Sequence, residues 1–154
     1  MPADSVRLLK NGQRFSFFPI RLLRIWLQEL AKQEGHNIGH IIFNCCTDEE
    51  LLQINKQFLQ HDTFTDIITF DYSESISENN KKLIGEIYIS IPRVRENALS
   101  FSNGSFPLEL LRVLAHGTLH LCGYRDKKPS ERKEMEQKEN SALHLFHRLQ
   151  REHA

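Results

Sequence analysis

The sequence is short of several residue types, and each shortage excludes a class of protein. The three cysteines, Cys45, Cys46 and Cys122, form no Cys-x-x-Cys pair, and adjacent cysteines are poorly placed to bridge each other. We therefore expect buried thiols in a reducing compartment and no disulfide framework. Neither sign of charge is in excess, because lysine plus arginine and aspartate plus glutamate each number 20. Any contact with nucleic acid must therefore come from a local patch of charge.

Long apolar runs are also missing. No run approaches the roughly 20 residues that a membrane-spanning helix needs. Residues 1–19 lack the continuous apolar segment and the cleavage site of a secretion signal. We expect a cytoplasmic protein that does not enter a membrane. The 154 residues, 40% of them hydrophobic, suit one globular domain spanning 1–154.

The pattern of apolar residues and turn formers predicts an α+β fold. A tail of about 17 residues comes first, with a weak strand signal near 5–17, and a polar loop is predicted over 73–82. Strands are predicted over 38–46, 66–72 and 83–90. Helices are predicted over 19–35, 47–59, 92–101, 107–123 and 129–147. We expect a small mixed sheet of about four strands packed with about five helices.

The segment AHGTLHLCGYRD, residues 115–126, carries the strongest chemical signal. His116 and His120 are four residues apart, so on a helix both imidazoles lie on one face. Gly123 can end the helix and reverse the chain, which brings Asp126 back beside the histidines. Two imidazoles and a carboxylate leave one position of a tetrahedral ion open, as in catalytic zinc sites. A pair of buried, hydrogen-bonded histidines is the alternative that the spacing leaves open.

Gly117 bears on the reaction class. The segment differs from the zinc-protease signature HExxHxxGxxH at two positions, with Gly117 in place of the glutamate and Asp126 in place of the last histidine. That glutamate is the general base of the proteases, and glycine cannot carry a proton. Peptide hydrolysis is therefore disfavoured unless another carboxylate, such as Glu86, reaches the site. A bound ion can still polarise a phosphoryl oxygen, and RNA offers its own 2′-hydroxyl as nucleophile.

HGTLHLCGY, followed by ERKEMEQKEN, resembles the YbeY family of bacterial rRNA maturation factors, which are single-strand-specific metallo-endoribonucleases. INKQFLQHDTFTDIITFDY (54–72) and LIGEIYIS (83–90) are similar to further blocks of that family, in the same order. The resemblance implies one zinc ion per chain, held by His116, His120 and Asp126, although the third ligand is usually histidine in the family. It also implies cleavage of single-stranded rRNA at the 3′ end of 16S rRNA during ribosome maturation, with small-subunit particles as partners.

One departure from the family concerns RNA binding. The family commonly has an arginine where this chain has Leu59. We expect His61, Arg93 and Arg125 to contact RNA instead, with Lys81, Lys82 and Arg95 as further surface cations, beside a basic groove near His116. Glu86 is the one catalytic candidate outside the metal centre, as a residue that orients a ligand histidine, and the alternative is an ordinary polar residue on a strand. A metalloprotease or other metal-dependent hydrolase, and a ribosome-associated module without catalysis, are the alternative functions.

Overall fold

The computed structural model describes residues 5–59 and 65–154. Within these ranges the strands are β1 (Val6–Leu9), β2 (Asn37–Cys46), β3 (Ile67–Asp71), β4 (Glu74–Ser77) and β5 (Asn80–Ser90). The helices are α1 (Ile20–Gln33), α2 (Asp48–Leu59), α3 (Ile91–Phe101), α4 (Phe106–Leu121) and α5 (Pro129–Glu152). The predicted α+β class is confirmed, and the sheet has five strands where about four were expected.

The sheet is mixed. Its order is β1-β2-β5-β3, with β4 also paired to β5. The strands β1, β2 and β5 run parallel, and β3 and β4 run antiparallel to β5. Alternate residues of β5 (Leu83, Ile87 and Ile89) are fully buried and belong to the main core with residues of α1, α4 and α5. The sheet therefore turns one face towards these helices, and β3 forms an edge.

Two glycines allow α4 to lie close to β5. A Cβ atom on Gly117 would come within 2.8 Å of Cδ1 of Ile87, and a Cβ on Gly85 within 2.9 Å of Cδ1 of Leu121. Each glycine thus makes room for an apolar side chain of the other element. Cβ atoms in proteins essentially never come within 3.0 Å of a neighbouring atom. A larger residue at either position would therefore push the helix away from the sheet. Gly117 accordingly has a packing role that is independent of catalysis.

The segments outside the predicted strands and helices contain more strand than was expected, including β1 where the sequence has a weak strand signal. The predicted N-terminal tail contains β1, which pairs with β2 in the register Val6 to Ile41 and buries Val6. Its four residues are too few to show a clear alternation. The predicted polar loop over 73–82 contains β4 and the start of β5, with Asn79 in the left-handed conformation at the turn between them. The side chains of β4 are exposed, so backbone pairing forms this hairpin without an apolar sequence signal.

The cysteine side chains are buried or half-buried. All three cysteines are free thiols. Burial raises the pKa of Cys45 and Cys122 to about 12 and that of Cys46 to about 11, so the thiols stay protonated at neutral pH.

Among the described residues, no helix combines the length and the apolar character that crossing a bilayer requires.

Candidate metal centre

The end of α4 aligns the two predicted histidines. His116 and His120 are one helical turn apart, and their Nε2 atoms lie 3.1 Å from each other. The backbone N–H of Gly123 donates to the carbonyl of His120, and that of Tyr124 donates to the carbonyl of Leu119. With Gly123 at a φ of 110°, these two bonds form the helix end that glycine favours. The chain therefore reverses direction immediately after the histidines.

The reversal brings Asp126 to the same point. Its Oδ2 atom lies 3.2 Å from Nε2 of His116 and 3.4 Å from Nε2 of His120. A tetrahedral ion about 2.0 to 2.1 Å from each ligand separates neighbouring ligand atoms by about 3.3 to 3.4 Å. The three atoms thus have the spacing that a zinc-like ion requires, and they form the group of possible metal ligands found among the described residues. The donor set and its spacing fit a divalent metal ion.

Glu139 of α5 fixes the orientation of His116. Its Oε2 atom lies 2.6 Å from Nδ1 of His116, and its carboxylate is buried. Because a carboxylate only accepts, the proton lies on Nδ1, and the lone pair of Nε2 faces the metal position. Arg112 donates to the other oxygen of Glu139 at 3.1 Å and to Asn140 at 2.9 Å. A carboxylate held in this way is the usual partner of a metal-binding histidine.

The surroundings shift the pKa values of the two histidines in opposite directions. Burial alone lowers the pKa of His116, but the hydrogen bond and charge of Glu139, with the charge of Asp126, outweigh it and the pKa is raised. Burial and the neighbouring His116 lower the pKa of His120. His120 is therefore neutral at pH 7 and ready to act as a ligand, whereas a metal ion competes with a proton at His116.

Glu139 is the functional residue that sequence reasoning missed. The block ERKEMEQKEN carried the family resemblance, but Glu139 was not singled out within it. A signal was present, because Glu139 follows the buried Met135 by four residues and precedes the buried Ala142 and Leu143. A glutamate in the apolar stripe of a helix indicates a buried carboxylate that needs a partner.

Glu86 is not brought to the histidines. Its neighbours in β5, Gly85 and Ile87, face α4, and side chains alternate along a strand, so Glu86 points to the opposite face of the sheet. There its carboxylate accepts a hydrogen bond from the hydroxyl of Tyr88 at 3.1 Å. Neither Glu86 nor Gly117 can therefore supply a general base at this site.

A groove of about 810 Å³ opens beside the metal position, between α4, the end of α2 and β3. Its charged lining is mainly acidic. The prediction of a basic groove is therefore wrong for the described residues. The cations are Arg112 and Lys127, and the carboxylates are Asp66, Asp71, Glu109, Asp126 and Glu139. Leu59 also lines the groove, so the position where the family commonly has an arginine is apolar here.

Two of the three predicted RNA-binding residues, Arg93 and Arg125, do not line the groove. His61 lies outside the described residues. Arg93 begins α3 and forms an ion pair with Asp48 of α2 at 2.8 Å. Arg125 is exposed and borders a separate cavity of about 690 Å³ with Glu34 and Tyr124. The structure thus brings together the metal ligands but not the proposed cations.

Comparison with known proteins finds similar sequences and a similar structure over most of the chain. The family profile described as Endoribonuclease YbeY matches residues 15–147. The protein named Endoribonuclease YbeY of Phocaeicola vulgatus is 46% identical over 121 residues, which are 79% of this chain and 83% of that protein. The one of Cytophaga hutchinsonii is 41% identical over 145 residues, 94% and 98% of the two chains. The solution structure of TM1509 from Thermotoga maritima matches with a TM-score of 0.61 and 32% identity, over 96% of this chain and 93% of that one.

Proposed function

This chain belongs to the Endoribonuclease YbeY family, and from that premise we propose that it is a metal-dependent endoribonuclease that cuts single-stranded rRNA during ribosome maturation. The observation that carries the proposal is the convergence of His116, His120 and Asp126 within 3.4 Å of one another beside an open groove. Two neutral nitrogen donors and one carboxylate, with a position left free, are typical of a metal site that performs hydrolysis.

The side chains around the site suit RNA better than a peptide. A divalent ion held by the three ligands would supply Lewis-acid charge to a phosphoryl oxygen. Glu139 holds the proton on Nδ1 of His116 and keeps the ring in place. The glutamate on which zinc proteases depend is absent at Gly117. RNA, in contrast, carries a 2′-hydroxyl beside each phosphate that can attack the phosphorus while the 5′-oxygen of the next nucleotide leaves and the hydroxyl proton passes to water. The lack of a general base thus disfavours the metalloprotease alternative.

We assign zinc to the site at one ion per chain, because two imidazoles and one carboxylate are common zinc ligands. The oxygen donor of Asp126 also suits manganese more than a third histidine would. For the substrate we propose single-stranded rRNA of the small subunit, at the 3′ end of 16S rRNA. Such a substrate would place the protein in the cytoplasm with ribosomal particles.

Cleavage of a matched pair of RNAs tests the proposal. Untagged protein is incubated with a labelled single-stranded RNA and with the same strand in a duplex, before and after chelation and return of zinc. We expect internal cuts in the single strand alone, loss of activity on chelation and in Asp126→Ala, and full activity in Glu136→Gln, an exposed carboxylate of α5. Cleavage that persists in Asp126→Ala or in excess chelator would contradict the proposal. Binding to ribosomal particles without any cleavage would favour the non-catalytic alternative.

A further inference from the structure

The face of the sheet that points away from α4 carries a row of aromatic rings, which we call the aromatic strip: Phe58, Phe70, Tyr72 and Tyr88. Phe70 makes edge-to-face contacts with Phe58 on one side and Tyr88 on the other, each with ring centroids 5.8 Å apart. Tyr72 continues the pairing of β3 with β5, because its N–H donates to the carbonyl of Ile84 at 2.8 Å. Phe58 is 60% exposed and Tyr72 is 56% exposed. The strip therefore presents ring surface to solvent while Phe70 holds it together.

The aromatic strip and the metal groove are separated by one strand. Residues Ile67, Thr69 and Asp71 of β3 line the groove. Because side chains alternate, Phe70 and Tyr72 point to the other side of the same edge strand. Leu59 of α2 lines the groove, and the adjacent Phe58 contacts the strip. A chain of nucleotides that leaves the groove across the edge of the sheet would meet the strip first.

Charge separates the two surfaces further. Five carboxylates line the groove, and one of its two cations, Arg112, is engaged by Glu139 and Asn140. On the open face of the sheet, Lys82 of β5 is exposed but lies opposite the exposed Glu74 of β4, and the exposed Arg7 lies on β1, at the far edge from β3. The acidic residue of that face in β5, Glu86, accepts a hydrogen bond from Tyr88. The open face thus carries both signs of charge, whereas the charged lining of the groove is mainly acidic.

We propose that the aromatic strip is a stacking surface for the bases that flank the cleaved bond in single-stranded RNA. Proteins that bind single strands combine exposed aromatic rings, on which bases stack, with cations along the backbone path. The strip provides the rings, the exposed Lys82 provides a cation on the same face, and the shared edge strand provides continuity with the groove. The inference rests on the proposed endoribonuclease function, to which it adds how the substrate is held.

Binding of a probe that resists cleavage tests this surface. Anisotropy of a fluorescein-labelled, single-stranded 2′-O-methyl RNA of about 15 nucleotides, within the range of single-strand site sizes, gives the affinity of the metal-loaded protein. We expect Tyr72→Ala and Phe58→Ala each to weaken binding about tenfold and Tyr72→Phe to stay within about twofold, because stacking needs the ring and not the hydroxyl. Phe101→Ala, which removes a ring that is 73% exposed on α3, is the matched control and should bind as the wild type does.

The outcomes separate the strip from the nuclease activity. Wild-type affinity in both Tyr72→Ala and Phe58→Ala, with their thermal unfolding unchanged, would overturn the proposal and make the strip a surface for something other than RNA. Equal affinity of the wild type for the duplex form of the probe would also overturn it. If the strip binds RNA but the protein does not cut the unmodified strand, the stacking surface is supported and the proposed nuclease function is contradicted. If Tyr72→Ala and Phe58→Ala cut the unmodified strand as the wild type does, the nuclease function is supported and the stacking surface is contradicted.

Discussion

Glu139 shows how one buried carboxylate can decide the properties of a metal ligand. It lies 23 residues from His116 in sequence but 2.6 Å from its Nδ1 atom, and Arg112 neutralises part of its charge. A buried carboxylate is costly unless it is paired, so its presence in the apolar stripe of α5 needs both partners. The site therefore extends beyond its three ligands into the packing of α4 on α5.

Replacing Glu139 by glutamine should weaken metal binding by about ten- to a hundredfold, because the charge that supports the Nδ1 proton of His116 is lost. Competition with a chromophoric zinc chelator measures the affinity. Glu136→Gln, one turn away on the exposed side of α5, should leave it unchanged. Equal affinities for Glu139→Gln and the wild type would show that Glu139 serves folding alone.

Asp48 and Arg93 form a second pairing that matters for stability more than for RNA. Asp48 accepts from Arg93 at 2.8 Å and from the hydroxyl of Ser90 at 2.8 Å, which joins the starts of α2 and α3 to the end of β5. Burial alone would raise the pKa of Asp48, but these hydrogen bonds outweigh it and the pKa is lowered. A carboxyl whose pKa is lower in the folded state stabilises the fold above its unfolded pKa.

We expect Asp48→Asn to lower the free energy of unfolding by about 1 kcal/mol at neutral pH, a value that allows for solvent screening of this partly exposed pair. The stabilisation is lost as the pH falls through the lowered pKa of Asp48, below the ordinary value of 3.8. The difference between variant and wild type in urea unfolding should therefore shrink on acidification. Glu49→Gln, on the exposed neighbour, is the control, and a difference that grows with acid would contradict this assignment.

At the scale of elements, the close contact of α4 with β5 positions the metal centre. Gly117 and Gly85 let the two elements interlock, and the helix ends at Gly123 so that Asp126 can return. The position that would carry a protease glutamate is in this contact, where it faces Ile87 and Ile67. The geometry that sets the histidines thus leaves no room for a general base beside the first of them.

Gly117→Glu should therefore unfold the protein rather than create a peptidase. A carboxylate forced against two isoleucines has no partner, and we expect a loss of at least about 3 kcal/mol in the free energy of unfolding. Gly117→Ala should cost less than about 2 kcal/mol, because crowding is partly offset by the better helix propensity of alanine. Urea unfolding and a casein-cleavage assay check both variants. A folded Gly117→Glu protein that cuts casein would refute this view of α4.

For the whole molecule, the distribution of charge matters more than its total. The net charge is zero, the groove lining is mainly acidic, and exposed cations such as Arg7 and Lys82 lie on the opposite face of the sheet. From the groove lining that the structure describes, we expect few phosphate contacts in RNA binding. Stacking and the metal ion must then supply most of the affinity.

The salt dependence of RNA binding should accordingly be shallow. With about two phosphates neutralised, the logarithm of the binding constant falls with a slope of about −1.4 against the logarithm of salt concentration, or about sevenfold over a fourfold rise in salt. Titrations of the labelled probe at several potassium chloride concentrations measure the slope. A slope steeper than about −4 would mean that RNA contacts many more cations than these two and would contradict this account.

Local sequence patterns predicted the parts of the site that local structure builds. The spacing of His116 and His120 and the turn at Gly123 depend on helix geometry alone, and the structure has both. Glu139 was missed because its contact with His116 joins two helices. Glu86 was misplaced because the face of β5 that a residue occupies depends on where α4 packs. The acidic groove was unexpected for the same reason, since its walls come from four separate elements.

The metal content of the untagged protein is the most direct test of the central claim, that His116, His120 and Asp126 form a metal centre. Mass spectrometry of the purified wild type should find about one divalent ion per chain, with zinc as the expected metal. The Asp126→Ala variant should lose most of it while it keeps the helix content of the wild type. Absence of a stoichiometric metal from the wild type, even after zinc is supplied, or an equal amount in both proteins, would contradict the claim.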